Sequence, residues 1–159
     1  MITNTTVAHR EHDHGRCLNA ALSQAQSLCK AQGARFTVSR EAVLRLIWQS
    51  HKPIGAYQVI EQLSAEQGRQ IMPPTVYRAL DFLLTQGLIH RITSLNAFIG
   101  CPFPSAKHSD LFMLCSACGS VAECSADNID QAIATTAAKS GFRVETHTLE
   151  IIGLCSQCQ

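Results

Sequence analysis

Long apolar stretches are absent from this chain: no uninterrupted run approaches the roughly 18 residues that a membrane span requires. The opening segment, MITNTTVAHREHDHG, has no apolar core of the kind a secretory signal carries, so a cytoplasmic location is expected. Aromatic residues make up only 6% of 159 residues and charged residues 16%, against 46% hydrophobic. Such a chain builds small cores from Ala, Leu, Ile and Val, in one ordinary domain or two small ones. Neither an H-E-x-x-H motif nor a nucleophile elbow is present. The usual signatures of zinc proteases and serine hydrolases are therefore missing, and no enzyme is expected.

Cysteine, by contrast, is plentiful. With no export signal, eight cysteines point to metal ligands or thiols and not to a disulfide scaffold. Four of them form two C-x-x-C pairs, Cys115/Cys118 and Cys155/Cys158. Each such turn aims two sulfurs at one point, and two turns complete a tetrahedron around Zn²⁺ at about 2.3 Å per Zn–S bond. Gly119 follows the first pair and Gly153 precedes the second, offering backbone freedom at both knuckles. The competing reading is two unrelated pairs, redox-active or present by chance.

Charge divides unevenly. Residues 1–98 hold ten Lys/Arg against six Asp/Glu, or +4, while residues 99–159 hold three against six, or −3. A basic first half on an acidic second half suits a polyanion-binding head carried by a body with another task.

Residues 1–16 carry His9, His12 and His14 without any apolar period and read as a mobile arm with, at most, weak metal affinity. From Cys17 to about Gln32, Leu18, Ala21, Leu22, Ala25 and Leu28 repeat at helical spacing, and Gly33 stops the run. Ser39 is expected to cap a second helix, Arg40 to Gln49, with Val43, Leu46 and Ile47 inward. A third helix is predicted from Ala56 to about Ala65, with Tyr57, Ile60 and Leu63 inward. A fourth runs from about Pro74 to Gln86, burying Val76, Leu80, Leu83 and Leu84. Strands at Leu88–Thr93 and Ala97–Cys101 then form a hairpin. Helices followed by a hairpin outline a winged helix-turn-helix over residues 17–98.

Pro102 and Pro104 mark a hinge at 99–106. In the segment 107–159, strands are expected at Leu111–Cys115 and Ser120–Cys124. A helix from Asp127 to about Lys139 should bury Ile129, Ile133, Ala137 and Ala138, and a long strand is predicted from Phe142 to Ile152. A unit this small needs a metal or a partner subunit for stability. The fold class is thus α+β: a winged helix-turn-helix followed by a small α/β unit with a four-cysteine zinc site.

The fourth helix supplies a candidate DNA reader, since recognition helices offer their first turns to the major groove. Arg78 can grip guanine through two hydrogen bonds and Tyr77 can meet a thymine methyl, with Thr75 and Arg40 as candidate phosphate contacts. A solvated amphipathic helix is the alternative. Four residues remain as potential ligands of a second ion: His90, Cys101, His108 and Glu123, an S/N/O set acceptable to Zn²⁺. Spacing alone does not join them. A lone strand histidine is more often a surface or core residue, and Glu123 and Cys124 must face opposite sides of a regular strand.

Thr75-Val76-Tyr77-Arg78-Ala79-Leu80-Asp81, the two C-x-x-C pairs and Gly153-Leu154-Cys155 together resemble the ferric uptake regulator family, and within it the zinc-sensing branch. The similarity covers roughly residues 17–159. It implies a homodimer with winged-helix heads and an α/β dimerisation domain, binding palindromic double-stranded DNA operators. It further implies repression of zinc-uptake genes by the zinc-loaded form, with no membrane partner and no organic substrate. By the same resemblance, Cys115, Cys118, Cys155 and Cys158 match structural zinc ligands, and His90, Cys101, His108 and Glu123 match regulatory ligands, making two zinc ions per subunit. Tyr77 and Arg78 match DNA-reading positions. The histidine-rich stretch of iron-sensing relatives is reduced here to Lys107-His108-Ser109-Asp110, so a third family site sharing Glu123 and using His147 lacks a ligand that Asp110 could replace. Iron, manganese or peroxide sensing within the family, a zinc hydrolase with an open metal position, and a dithiol redox switch are the alternatives.

Overall fold

A computed structural model describes residues 13–104, 110–125 and 127–159. The chain divides into two compact units, with the boundary at Ser105/Ala106.

The first unit opens with α1, His14–Ala31. It starts three residues earlier than the apolar period indicates, because Asp13 caps it: the carboxylate accepts the Arg16 backbone N–H at 3.3 Å. His14, Gly15 and Arg16 are therefore helical and not part of an arm; residues 1–12 lie outside the described residues. Ala21, Ala25 and Cys29 are buried, with Leu18 and Leu22 packed beside them. Cys29 is a core residue, and burial raises its thiol pKa despite the nearby Arg40 charge.

Helix α2, Val38–Ile47, is capped by Thr37, whose hydroxyl accepts the Arg40 N–H at 3.4 Å. Ser39, the expected cap, lies inside the helix. Val43, Leu46 and Ile47 are buried as their spacing predicts. In α3, Ala56–Gln67, the inward positions are Val59 and Leu63, one helical turn apart. Tyr57 points the other way and is 73% exposed, contrary to its expected burial. Helix α4, Pro73–Thr85, begins with both prolines in its first turn, where no N–H partner is lost. It buries Val76, Ala79, Leu80 and Leu83, leaving Leu84 partly covered.

Strands β1, Ile89–Ile92, and β2, Ala97–Gly100, form an antiparallel hairpin in which His90 faces Ile99 across the ladder. A one-turn 3-10 helix, Thr93–Leu95, and Asn96 at φ 47° make the turn, held by the Arg91 guanidinium donating to Asn96 Oδ1 at 2.6 Å. Ile54 extends this wing by pairing with Phe98. Residues 99 and 100 are thus wing and not hinge. Gly100 lies under the Trp48 indole so closely that a Cβ would fall 2.2 Å from Trp48 Cε2. No other residue type fits there without moving the ring.

The second unit is a three-stranded sheet in the order β4-β3-β5. Its strands are β3, Asp110–Cys115, β4, Val121–Cys124, and β5, Thr148–Gly153. β4 is antiparallel to β3, and β5 returns parallel to it after helix α5, Asp127–Lys139. The long strand expected from Phe142 is shorter, because pairing starts only at Asp110–Thr148. No residue of α5 is buried: Ile129, Ile133 and Ala137 are half-covered and Ala138 is exposed. Phe142 and Ile152 are 67% and 68% exposed. One chain alone does not close this core.

Candidate metal centres and nucleic-acid interface

Parallel pairing of β3 with β5 is what brings the two C-x-x-C turns together. The register sets Cys115 opposite Gly153, so both knuckles leave the same end of the sheet. The Ser116 N–H donates to Gly153 O at 2.8 Å, extending the ladder past the strands. In the first knuckle, Gly119 takes φ 74° and its N–H donates to Cys115 O at 2.9 Å. In the second, the Cys158 N–H donates to Cys155 O at 2.9 Å. Gly153, expected to be conformationally special, is ordinary strand backbone with no positive φ.

The four sulfurs lie within 4.8 Å of one another, and Cys118 and Cys155 are 3.9 Å apart. The edge of a tetrahedron with Zn–S bonds of about 2.3 Å is about 3.8 Å, so the cluster already has nearly the required size. Its electrostatics ask for a cation. Backbone N–H groups of Cys118 and Cys155 stabilise the Cys115 thiolate and lower its pKa to about 5. The Ser120 hydroxyl, 3.0 Å from Cys118, lowers that thiol in the same way. Cys158 is instead pushed up to about 12, first by its hydrogen bond with the Cys155 side chain and then by burial. Four thiolates cannot share this volume without positive charge between them. The donor set fits a structural zinc with every position filled by sulfur.

Residues proposed for a second ion are distributed over both units. In the first unit, a His90 ring nitrogen and Cys101 Sγ lie within 4.8 Å of each other. β1 presents the histidine, and Cys101 is fixed beside the hairpin by its N–H donating to Leu88 O at 3.0 Å. Cys101 is 3% exposed. In the second unit, Glu123 on β4 is 4% exposed, a strong desolvation for a carboxylate, while Cys124 on the opposite face is half-buried, as strand alternation demands. His108 lies outside the described residues. His147 is engaged with Asp130 of α5 at 3.0 Å. Among the described residues, neither His147 nor Asp110 joins a group of three ligand atoms within reach of one ion.

On α4, Thr75, Tyr77 and Arg78 all face solvent, with Tyr77 52% exposed. Arg40 is partly covered: its guanidinium lies 3.5 Å from the Phe82 ring centroid and donates to the Arg35 carbonyl. Tyr57 and Met72, the latter 61% exposed, add surface near the starts of α3 and α4 that periodicity does not single out. An outward aromatic at the second position of a helix is the available signal for Tyr57.

No helix among the described residues is long and apolar enough to cross a membrane. The profile of the ferric uptake regulator family matches residues 31–152. The zinc uptake regulation protein of Escherichia coli (strain K12) is 39% identical over 138 residues, spanning 86% of this chain and 80% of that protein. Its counterpart from Mycobacterium tuberculosis (strain ATCC 25618 / H37Rv) is 30% identical over 132 residues, covering 81% and 98%. Among solved structures, a zinc uptake regulator complexed with zinc and DNA superposes with a TM-score of 0.81 at 36% identity, covering 88% of this chain and 93% of that one. The winged hairpin, the outward face of α4, the four-sulfur cluster and these likenesses agree on one conclusion: the chain belongs to the ferric uptake regulator family.

Proposed function

We propose that this protein is a cytoplasmic, zinc-responsive repressor of zinc-uptake genes that binds a palindromic DNA operator as a homodimer. The observation that carries the zinc assignment is the approach of a His90 nitrogen and Cys101 Sγ within 4.8 Å on the wing. A thiolate in the sensing set favours zinc over the harder manganese and iron ions.

Each subunit takes two zinc ions in this reading. Cys115, Cys118, Cys155 and Cys158 hold the structural one, which supplies the stability a unit with so little buried core lacks. His90, Cys101, His108 and Glu123 hold the regulatory one. Two of these ligands belong to the wing and two to the second unit, so occupancy restricts the connector at Pro102 and Pro104. Restricting it selects arrangements in which both α4 helices of a dimer can reach successive major grooves. Moving such an equilibrium from about 1:99 to 99:1 requires about 5.5 kcal/mol, within the reach of a four-ligand zinc site. Arg78 and Tyr77 read bases, and Thr75 contacts phosphate. Arg40, stacked on Phe82, can add a phosphate contact only through its remaining N–H groups. The half-covered face of α5 and the exposed Phe142, Ile151 and Ile152 form the dimer surface.

Operator binding of Cys101→Ser, measured against buffered free zinc, tests this. Zinc-dependent binding should vanish while the dimer and its four-sulfur zinc persist. A fully retained zinc response would remove Cys101 from the sensing set, and equal responses to competing manganese or iron would remove the zinc assignment.

A further inference from the structure

We infer that His14, Cys17 and His51 form an additional zinc site at the start of α1, separate from the four-sulfur cluster and from the wing ligands. One ring nitrogen of each histidine and Cys17 Sγ lie within 4.8 Å of one another. His14 and Cys17 sit three residues apart on one face of the first turn of α1, the spacing at which helical side chains meet. His51, in the connection after α2, comes to them through the fold: its ring meets the His14 ring edge-on, with centroids 4.7 Å apart.

The surroundings favour a ligand role over plain packing. His14 Nε2 is 2.6 Å from the Trp48 carbonyl oxygen. A carbonyl only accepts, so Nε2 carries a proton, and in the neutral ring Nδ1 is the nitrogen with the lone pair. That is the usual way a backbone carbonyl orients and fixes the tautomer of a metal-bound histidine. The Trp48 ring also meets the His51 ring edge-on, with centroids 6.3 Å apart. All three residues are half-buried, and binding would release the Cys17 proton to solvent. Two imidazoles and one thiolate match Zn²⁺ and leave a fourth position for water. Such a site is more exchangeable than four sulfurs. Its occupancy ties the first turn of α1 to the connection between α2 and α3 and stabilises the DNA-reading unit when zinc is abundant.

The test uses the full-length dimer with its four-sulfur zinc retained and free Zn²⁺ set by a buffer. Alkylation of Cys17 by iodoacetamide, followed by peptide mass spectrometry, should slow about tenfold or more at saturating zinc. His51→Gln and His14→Gln should each abolish that protection with the far-ultraviolet circular dichroism unchanged, and Cys17→Ser should bind one zinc ion fewer per protomer. Alkylation of the unsubstituted protein at the same rate with and without zinc would overturn the proposal, whatever the variants do. Protection surviving in both histidine variants would overturn it equally.

Discussion

Gly100→Ala is expected to destabilise the DNA-reading unit through a single contact. An added Cβ would stand 2.2 Å from Trp48 Cε2, 2.3 Å from Nε1 and 2.7 Å from Cδ2, all inside the 3.0 Å that real Cβ contacts respect. The obstacle is a flat ring 7% exposed, not the free end of a flexible side chain. The ring must retreat by about 1 Å or the hairpin must lift, an overpacking cost of about 1–3 kcal/mol. Alanine recovers part of this, roughly 0.5–1 kcal/mol, through the backbone entropy that glycine loses in a strand. The net loss, at most about 2.5 kcal/mol, lowers the melting temperature by up to roughly 10–20 °C for a unit of this size. Trp48 is the sole tryptophan, so its emission during thermal unfolding reports on this unit directly. Trp48→Phe provides the control. With the smaller ring, Gly100→Ala should cost markedly less, giving a coupling energy readable by circular dichroism. A raised melting temperature in the single variant, or additive losses in the pair, would refute the contact argument.

Arg78→Ala should weaken operator binding by about 1–3 kcal/mol while leaving non-specific binding nearly unchanged in a salt-controlled titration; an equal fall in both would make Arg78 a phosphate contact. Cys155→Ser removes one of the four clustered sulfurs, 3.9 Å from Cys118, and should yield zinc-depleted protein that aggregates or is monomeric in sedimentation. Ile152→Asp alters a side chain 68% exposed in one chain, so the isolated fold should tolerate it while the dimer dissociates. A stable dimer of that variant would place the subunit contact elsewhere.

Local signals carry most of the fold. Both α5 boundaries fall where the sequence predicts them, since Asp127 opens a run whose apolar period ends near Lys139. Periodicity misplaces Tyr57 because Tyr57, Ile60 and Leu63 satisfy one helical spacing and Val59 with Leu63 satisfies another. Only packing against the neighbouring helices decides between them. The overlong final strand has a similar origin. Phe142 to His147 contains good strand formers, yet the ladder begins at Asp110–Thr148, and strand propensity without a partner leaves the backbone unpaired. Burial on α5 is overestimated for the opposite reason: the periodic face exists, but a single chain provides nothing to cover it.

Metal sites divide along the same line. A C-x-x-C turn assembles half of a tetrahedron within four residues, so the four-cysteine cluster is legible before any fold is known, and one parallel strand pair suffices to join the halves. Ligands drawn singly from distant segments leave no such trace. In the sequence, Cys17 reads as the first residue of an amphipathic helix, and His14 as the end of a polar arm. What joins them to His51 is the Asp13 cap, which carries the helix back through His14, and the Trp48 carbonyl that orients its ring. One is a side-chain cap and the other a backbone carbonyl, and the spacing of His14, Cys17 and His51 encodes neither. If zinc protects Cys17 as expected, metal ligation here depends first on where a helix starts. An Asp13→Ala substitution should then weaken zinc protection of Cys17 without touching any ligand, while the four-sulfur site keeps its ion. Undiminished protection in that variant would show that His14 is held in place by something other than the helix start.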